Sequence, residues 1–595
     1  MFTTKAPRVV LKTRTIHQAT RYTIRRQCRY ATAGPAAGSD GHEAFAYNRA
    51  LRIFLLATAA GVGIYGSRWL EASEAHAESR PEEAMVLEKP KKKSKASQEV
   101  NRDLISSQHL QVKRSWENPG VYAWGSNTGG VISPESDEAN IKLPKRITFF
   151  DGLLLRDLKI DRQFAAAITE NGDLLQWGAG YSKSVKTPEP TLVGKNLKSI
   201  AISRDRIIAL SFDGTVYSVP ASKEDQLEGG KPYESSWIPY WSSRSTISYR
   251  NLTPKTLGWN ERVTAVSSGL EHVLLLTSNG RLFSAASSSE SFPDRGQLGV
   301  PGITWTNRPP GPYDMPHEVT TLQGFEISKI AAGDFHSLAV DRQGRVFSFG
   351  DNYYGQLGFS PTSSAPVVDA PSLIPIQNLY AGMQETPVVL DIAAGGNSTF
   401  FIIETTHTPA IGQRTSKRSP AVGRKTLDTY ASGQGIMGGL GNGRWTHSQG
   451  IPIRIKALSG LFEWDEVRKV LMPIGVARLS VGSSHAAAVM DNVTHLGAKK
   501  DSNEHDTNFG ADVLWWGGNE HYQLGTGKRN NVNNPAYIAP LDADVDRLRG
   551  QKDENRLQIT PMGTARIGEG GKGRKVRMEQ RVECGRMVSA VYSAV

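Results

Sequence analysis

Past residue 115 one hydrophobic pattern keeps returning, most fully in "ISKIAAGDFHSLAVDRQGRVFSFGDNYYGQLG", residues 327–358. An apolar lead-in reaches a G-x-x-H step, small apolar residues follow, and a turn ends in Gly. Then comes V-[YF]-x-[WF]-G and a G-x-N-x-x-G-Q-L-G tail. Short apolar runs punctuated by turn residues read as β-strands, and their repetition reads as an all-β propeller.

The step, degenerate copies included, begins at Asp161, Ser203, Gly269, Gly333, Gly395, Gly482 and Gly585. The aromatic strand recurs as "VYAWG" (121–125), "LLQWG" (174–178), "VYSV" (216–219), "RLFSA" (281–285), "VFSFG" (346–350), "TYASG" (429–433) and "VLWWG" (513–517). Each series has seven members, which predicts a seven-bladed propeller over 116–595 with long loop inserts. The first unit, Val121–Gly125, lacks a preceding step, and the last step, 582–592, lacks a following aromatic strand. Two half-repeats at opposite ends predict a ring closed by pairing of N- and C-terminal strands, which removes exposed sheet edges. Asn171-Gly172, Asp213-Gly214 and Asn279-Gly280 suit tight hairpins needing positive φ, and Gln343-Gly344 occupies the same place.

These motifs resemble the regulator of chromosome condensation propeller family. The resemblance covers about residues 118–595, strongest at 265–358 and 480–525 and weakest at 155–220. The repeat positions that carry it include Gly269, His272, Gly333, His336, Gly482, His485, Trp124, Trp515, Gly358 and Gly525. The His slot departs to Phe164, Arg206, Ser398 and Val588 in four copies, and the step spacing stretches from 42 to 103 residues.

Composition changes the picture mainly at the N-terminus. Residues 1–30 carry eight basic side chains and no acid, amid many Ser and Thr, as in a mitochondrial presequence, taken as 1–45. Within 46–70, the uncharged run Ile53–Ser67 would span roughly 22 Å as helix against a hydrocarbon core of about 30 Å. Arg52 and Arg68 can snorkel at its ends, so one transmembrane helix is expected, with the membrane engaged through residues 50–70. Basic residues before it and acidic ones after it orient the body toward the intermembrane space of an inner mitochondrial membrane. Residues 71–115 read as a charged, disordered linker. The formal charge is +12, of which +9 sits in residues 1–70 and +4 in 101–595, so no nucleic-acid partner is expected. Two cysteines, Cys28 and Cys584, make neither a zinc tetrad nor a disulfide framework.

Candidate chemistry is thin. Gly525-Thr526-Gly527-Lys528 invites a phosphate-loop reading, but Arg529 stands where Ser/Thr is needed and Tyr522 where Gly is needed. His272, His336 and His485 could be metal ligands. Equivalent places in different blades keep them apart, so they are expected to hydrogen-bond backbone near the channel. No catalytic residues, cofactor or metal are expected; the chain reads as a non-enzyme. The insert 233–260 gathers Tyr233, Trp237, Tyr240, Trp241, Tyr249 and Trp259, ring types typical of interface hot spots, and of these Trp237, Tyr240, Trp241 and Trp259 are the candidate partner contacts. The inserts 404–428 and 491–511 look polar and mobile.

With the presequence and anchor, the chain is similar to fungal mitochondrial inner-membrane members of that family implicated in assembly of the cytochrome bc complex (complex III). The resemblance therefore implies a membrane-tethered scaffold whose partners are assembly intermediates. Its alternatives are a regulator or exchange factor of a mitochondrial GTPase and a mitochondrial ribosome assembly factor.

Overall fold

The computed structural model describes residues 110–595 apart from 235–242, 291, 304–314, 362–365, 409–422, 466–468, 493–509, 542–555 and 569–571. The expected presequence, transmembrane helix and residues 71–109 of the linker lie outside the described residues, as do Trp237, Tyr240 and Trp241. No helix among the described residues is long and apolar enough to cross a membrane.

The repeat folds as its hydrophobic pattern requires. Ile327–Ala332 runs along the channel, and His336–Asp341 returns antiparallel beside it. Val346–Asp351 and then Val367–Leu373 extend the sheet outward. The two middle strands are buried at every residue, because neighbouring sheets cover both of their faces. The outer strand is half-exposed. An extra residue bends six of the channel-lining strands, five of them near their starts, for example between Ile327 and Lys329.

The ring is an all-β propeller with few helices, but its sheets do not divide into seven separate blades. Five are self-contained, four of four strands and one of five. The strands carrying both chain ends belong instead to one nine-stranded sheet. There Val121–Ser126 lies antiparallel to Val588–Ala594, in register from Val121 opposite Tyr592 to Gly125 opposite Val588. The fusion runs through one parallel bridge, Leu155 to Ala594, reinforced by Val595 N–H donating to Leu155 O at 3.0 Å. A sequence count of repeats does not register such a bridge, because it joins the closing strands to the next channel strand.

The antiparallel order sorts the loops onto two faces. Every channel strand runs toward its step, so steps and G-Q-L-G tails share one face. Hairpin turns and the connections between sheets share the other, here the turn face. At the turns only glycine is left-handed (Gly172 at φ 90°, Gly280 at 75°, Gly344 at 76°), and Asn171 and Asn279 are not. Gly172 N–H bonds Thr169 O, and Thr169 N–H bonds Asp173 O, a longer loop with a glycine bulge in which Gln343 serves as well as Asn.

The packed body starts ahead of residue 116. Residues 110–117 form a helix with Val112 fully buried. Gln111 brackets the segment 556–558, donating to Arg556 O and accepting from Gln558 N–H, both at 3.1 Å. At the two ends of the insert 404–428, expected to be mobile, the chain continues a ladder, while 409–422 lie outside the described residues. Ser398–His407 and Lys425–Gly435 pair from Ser398 opposite Gly433 to Thr406 opposite Lys425.

Candidate functional site

The repeat residues converge where adjacent sheets meet around the channel. His336 leads the second strand of its sheet, and its Nε2 lies 2.8 Å from Thr399 Oγ1 in the next sheet. That hydroxyl donates its one proton to Gln356 O at 2.7 Å. The imidazole must therefore carry its proton on Nε2 and donate. His272, Ser337 and Gln297 O repeat the relay at 2.9 and 2.8 Å, and His485, Ser589 and Gln523 O at 2.7 and 2.6 Å. The expectation that these histidines bond backbone is corrected: each bonds a neighbouring sheet's side chain. Each histidine lies in a different sheet, so the three are not brought together as a ligand set.

The step glycine makes room for the ring. A Cβ on Gly333 would lie 2.1 Å from His336 Cε1 and 2.8 Å from Gly396 O. With Nδ1 buried and unpartnered, a second proton has nowhere favourable to go, and burial pulls all three histidines down to about 3.

A second joint uses the tail. Gly525, at φ +69°, packs against the indole of Trp124, where a Cβ would come within 2.8 Å of Nε1. Trp124 Nε1–H donates to Gln523 O at 2.9 Å. Gly358 sits likewise over Ile374. Trp516, one residue past the expected Trp515, is the equivalent of Trp124: it packs beneath Gly441 and donates to Gly439 O at 2.9 Å. Trp515 faces the other way and meets Trp124 edge-on at 5.2 Å.

At the step end these joints surround a polar cavity of about 390 Å³. Sequence reading overlooked its charges. Arg586, from the final step, stands between Asp161 at 3.4 Å and Asp334 at 3.6 Å. Burial pushes both carboxyls up, against the pull of Arg586. Deeper, Lys159 pairs with Glu583 at 2.7 Å, and burial still raises Glu583 to about 7. The Cys584 thiol beside it is pushed up by burial and is a poor nucleophile. Such a site can hold and exchange protons; it offers no activated nucleophile.

The tempting loop at Gly525–Lys528 is wrapped around Asn519. Asn519 Oδ1 accepts from Leu524 N–H at 2.9 Å, and its amide donates to Lys528 O at 2.6 Å. The aromatic insert does not form one patch. Tyr249 is buried against Tyr217, whereas Tyr233 and Trp259 are exposed, Trp259 by 92%.

The regulator of chromosome condensation (RCC1) repeat profiles match residues 327–356 and 343–402. Protein FMP25, mitochondrial, from Saccharomyces cerevisiae is 25% identical over 73% of this chain and 69% of its own length. RCC1 domain-containing protein RUG3, mitochondrial, from Arabidopsis thaliana is 26% identical over 48% of this chain and 59% of its own length. The crystal structure of human WBSCR16 superposes with a TM-score of 0.49 at 17% identity, covering 80% of this chain and 99% of that one. The chain is a propeller that carries repeats of the regulator of chromosome condensation family.

Proposed function

We propose that this chain is a non-enzymatic scaffold in mitochondria, tethered to the inner membrane through residues 50–70, that assists assembly of the cytochrome bc complex. The observation that carries the reading is the similarity to FMP25, which spans most of both chains and extends beyond the two matched repeats. The basic, acid-free first 30 residues support a mitochondrial address. The propeller faces the intermembrane space in this reading, and its partners are assembly intermediates.

In the same reading the ring counts as seven blades. Seven strands line the channel cavity, and the nine-stranded sheet is two blades joined at Leu155–Ala594. A closed ring of rigid sheets suits holding an intermediate, since only a difference in affinity between intermediate and finished complex is needed. Deleting the chain should lower assembled complex III while synthesis of its subunits continues, read by native gels beside pulse labelling. Normal complex III in the deletion strain refutes the proposal. A nucleotide-release assay with mitochondrial GTPases then tests the regulator alternative.

A further inference from the structure

One stretch of the turn face gathers charge that the rest of the body lacks. Residues 563–577 hold five bases, Arg566, Lys572, Arg574, Lys575 and Arg577, against the single acid Glu569, a net +4. That equals the net charge of all of 101–595, so the remainder of the body is balanced. All five bases are exposed. Gly563–Arg566 pairs with the start of Lys575–Cys584 as a short ribbon, with Thr564 opposite Arg577, Ala565 opposite Val576 and Arg566 opposite Lys575. Alternation puts Arg566, Lys575 and Arg577 on one side. The other side is covered, with Ala565 buried. Two contacts seat the ribbon on the ring. Gly568 N–H donates to Trp116 O at 3.2 Å, and Arg574 forks onto both carboxylate oxygens of Glu170, in the turn that follows Thr169. Among the described residues, Arg574 is the one base of the five that meets a carboxylate. Like charges directly opposite each other repel, so the Arg566–Lys575 pair costs the ribbon stability.

We infer that this ribbon is a docking site for an acidic segment of a partner polypeptide. A like-charge pair set on an exposed side is relieved when carboxylates lie between its members. Arg574 already displays the chemistry, because its guanidinium takes Glu170 in the two-pronged geometry that suits a carboxylate. Size separates the occupants. Lys575 and Arg577 stand two residues apart on one strand, about 7 Å, so the charged side spans two or three acidic side chains of an extended peptide. A duplex nucleic acid needs positive charge well beyond that span, and the remainder of the body supplies no surplus. Docking of an acidic segment goes beyond the scaffold reading and holds whatever protein carries that segment.

The full chain in neutral detergent, with a peptide of alternating glutamate and serine, tests this. Acetylation of each lysine is followed by mass spectrometry with and without the peptide. The peptide should slow acetylation of Lys572 and Lys575 at least about fivefold more than that of Lys528, which is exposed on the step face. Arg566→Gln with Arg577→Gln keeps both lysines and removes the repulsion across the ribbon, so the ribbon stays folded. Protection of the two lysines should then fall about fivefold, with Lys528 unchanged. Equal protection at Lys528 and on the ribbon, or full protection retained in the double variant, overturns the site. Stronger protection of the two lysines by a short DNA duplex or by phosphatidylglycerol vesicles, at equal charge concentration, overturns it as well, because the occupant is then a phosphate surface. Assembly of complex III does not enter this readout, so the site fails separately from the scaffold proposal.

Discussion

The joints from sheet 263–318 through 327–373 to 385–454 contrast with those around 155–251. In the first arc, His272 and His336 each reach a hydroxyl, Ser337 or Thr399, in the sheet ahead. In the second arc, the slot residues Phe164 and Arg206 are matched one repeat on by Ile207 and Val273. The rule holds around the whole ring. The three histidine slots are followed by hydroxyls in the next sheet (Ser337, Thr399, Ser589), and the four others by Ile207, Val273, Ala486 and Ala165. Histidine and hydroxyl come and go together because each buried polar group is costly without the other. The polar joint fixes one alignment of adjacent sheets, since its hydrogen bonds fail on a slip. The apolar joint relies on packing: Phe164, Ile200, Ile207 and Ala209 share one core cluster.

Acid separates the two kinds of joint most strongly. The three histidines titrate near 3 when folded and near 6.5 when unfolded, so the unfolded chain binds more protons below pH 6.5. Their stability is therefore present above pH 6.5 and is lost as pH falls, by about 1.4 kcal/mol per unit for each group. Glu583 works the other way. Raised to about 7 from 4.5, it stabilises the fold below 4.5 and loses that contribution as pH climbs to 7. It offsets one histidine between these values, and the half-buried His317, pulled down by its own burial, adds to the loss. Stability should fall between pH 6.5 and 4.5, seen as a falling urea midpoint. His485→Gln retains an N–H donor and cannot titrate; it should flatten the slope by about one proton. An unchanged slope would detach the relay from acid sensitivity.

The step glycine sharpens the contrast at a single position. Glycine precedes every relay histidine, whereas Asp161 and Ser203 stand there ahead of Phe164 and Arg206. Gly333→Ala drives a methyl into the His336 ring and toward Gly396 O, with backbone on one side and a locked side chain on the other. A loss of about 3 kcal/mol or more is expected from such overpacking. Ser203→Gly removes only a side chain whose hydroxyl bonds Arg206 O at 3.3 Å, and about 1 kcal/mol or less should go with it. Denaturant midpoints of the two variants check both figures.

Much of this was legible before any coordinates, for a physical reason. Strands and turns follow from local alternation, so Val346–Asp351 and the turn at Gln343-Gly344 could be read directly, and closure followed from half-repeats at Val121 and Val582. What escaped depends on contacts far apart in sequence. The relay partners lie 63, 65 and 104 residues from their histidines. Their signal was present as a hydroxyl directly after the next slot, visible only when successive copies are aligned with a one-repeat offset. The nine-stranded sheet hinges on one bridge at Leu155, which no pattern announces. The ribbon at 563–577 grows out of the connection before the last step, where the repeat imposes nothing.

Exchanging one joint for the other gives the finest test of the comparison. His336→Phe alone leaves Thr399 without its donor, although the hydroxyl keeps Gln356 O, so about 1–2 kcal/mol should be lost. Thr399→Ile alone strands the His336 Nε2–H in a fully buried site at a similar cost. The double variant rebuilds the Phe164/Ile207 combination, and the two losses should partly cancel, leaving a coupling of about 1 kcal/mol in a double-mutant cycle. Its stability should also vary less with pH, since one titrating group has gone. If the losses simply add, the histidine and the hydroxyl act separately, and their co-occurrence around the ring needs another cause.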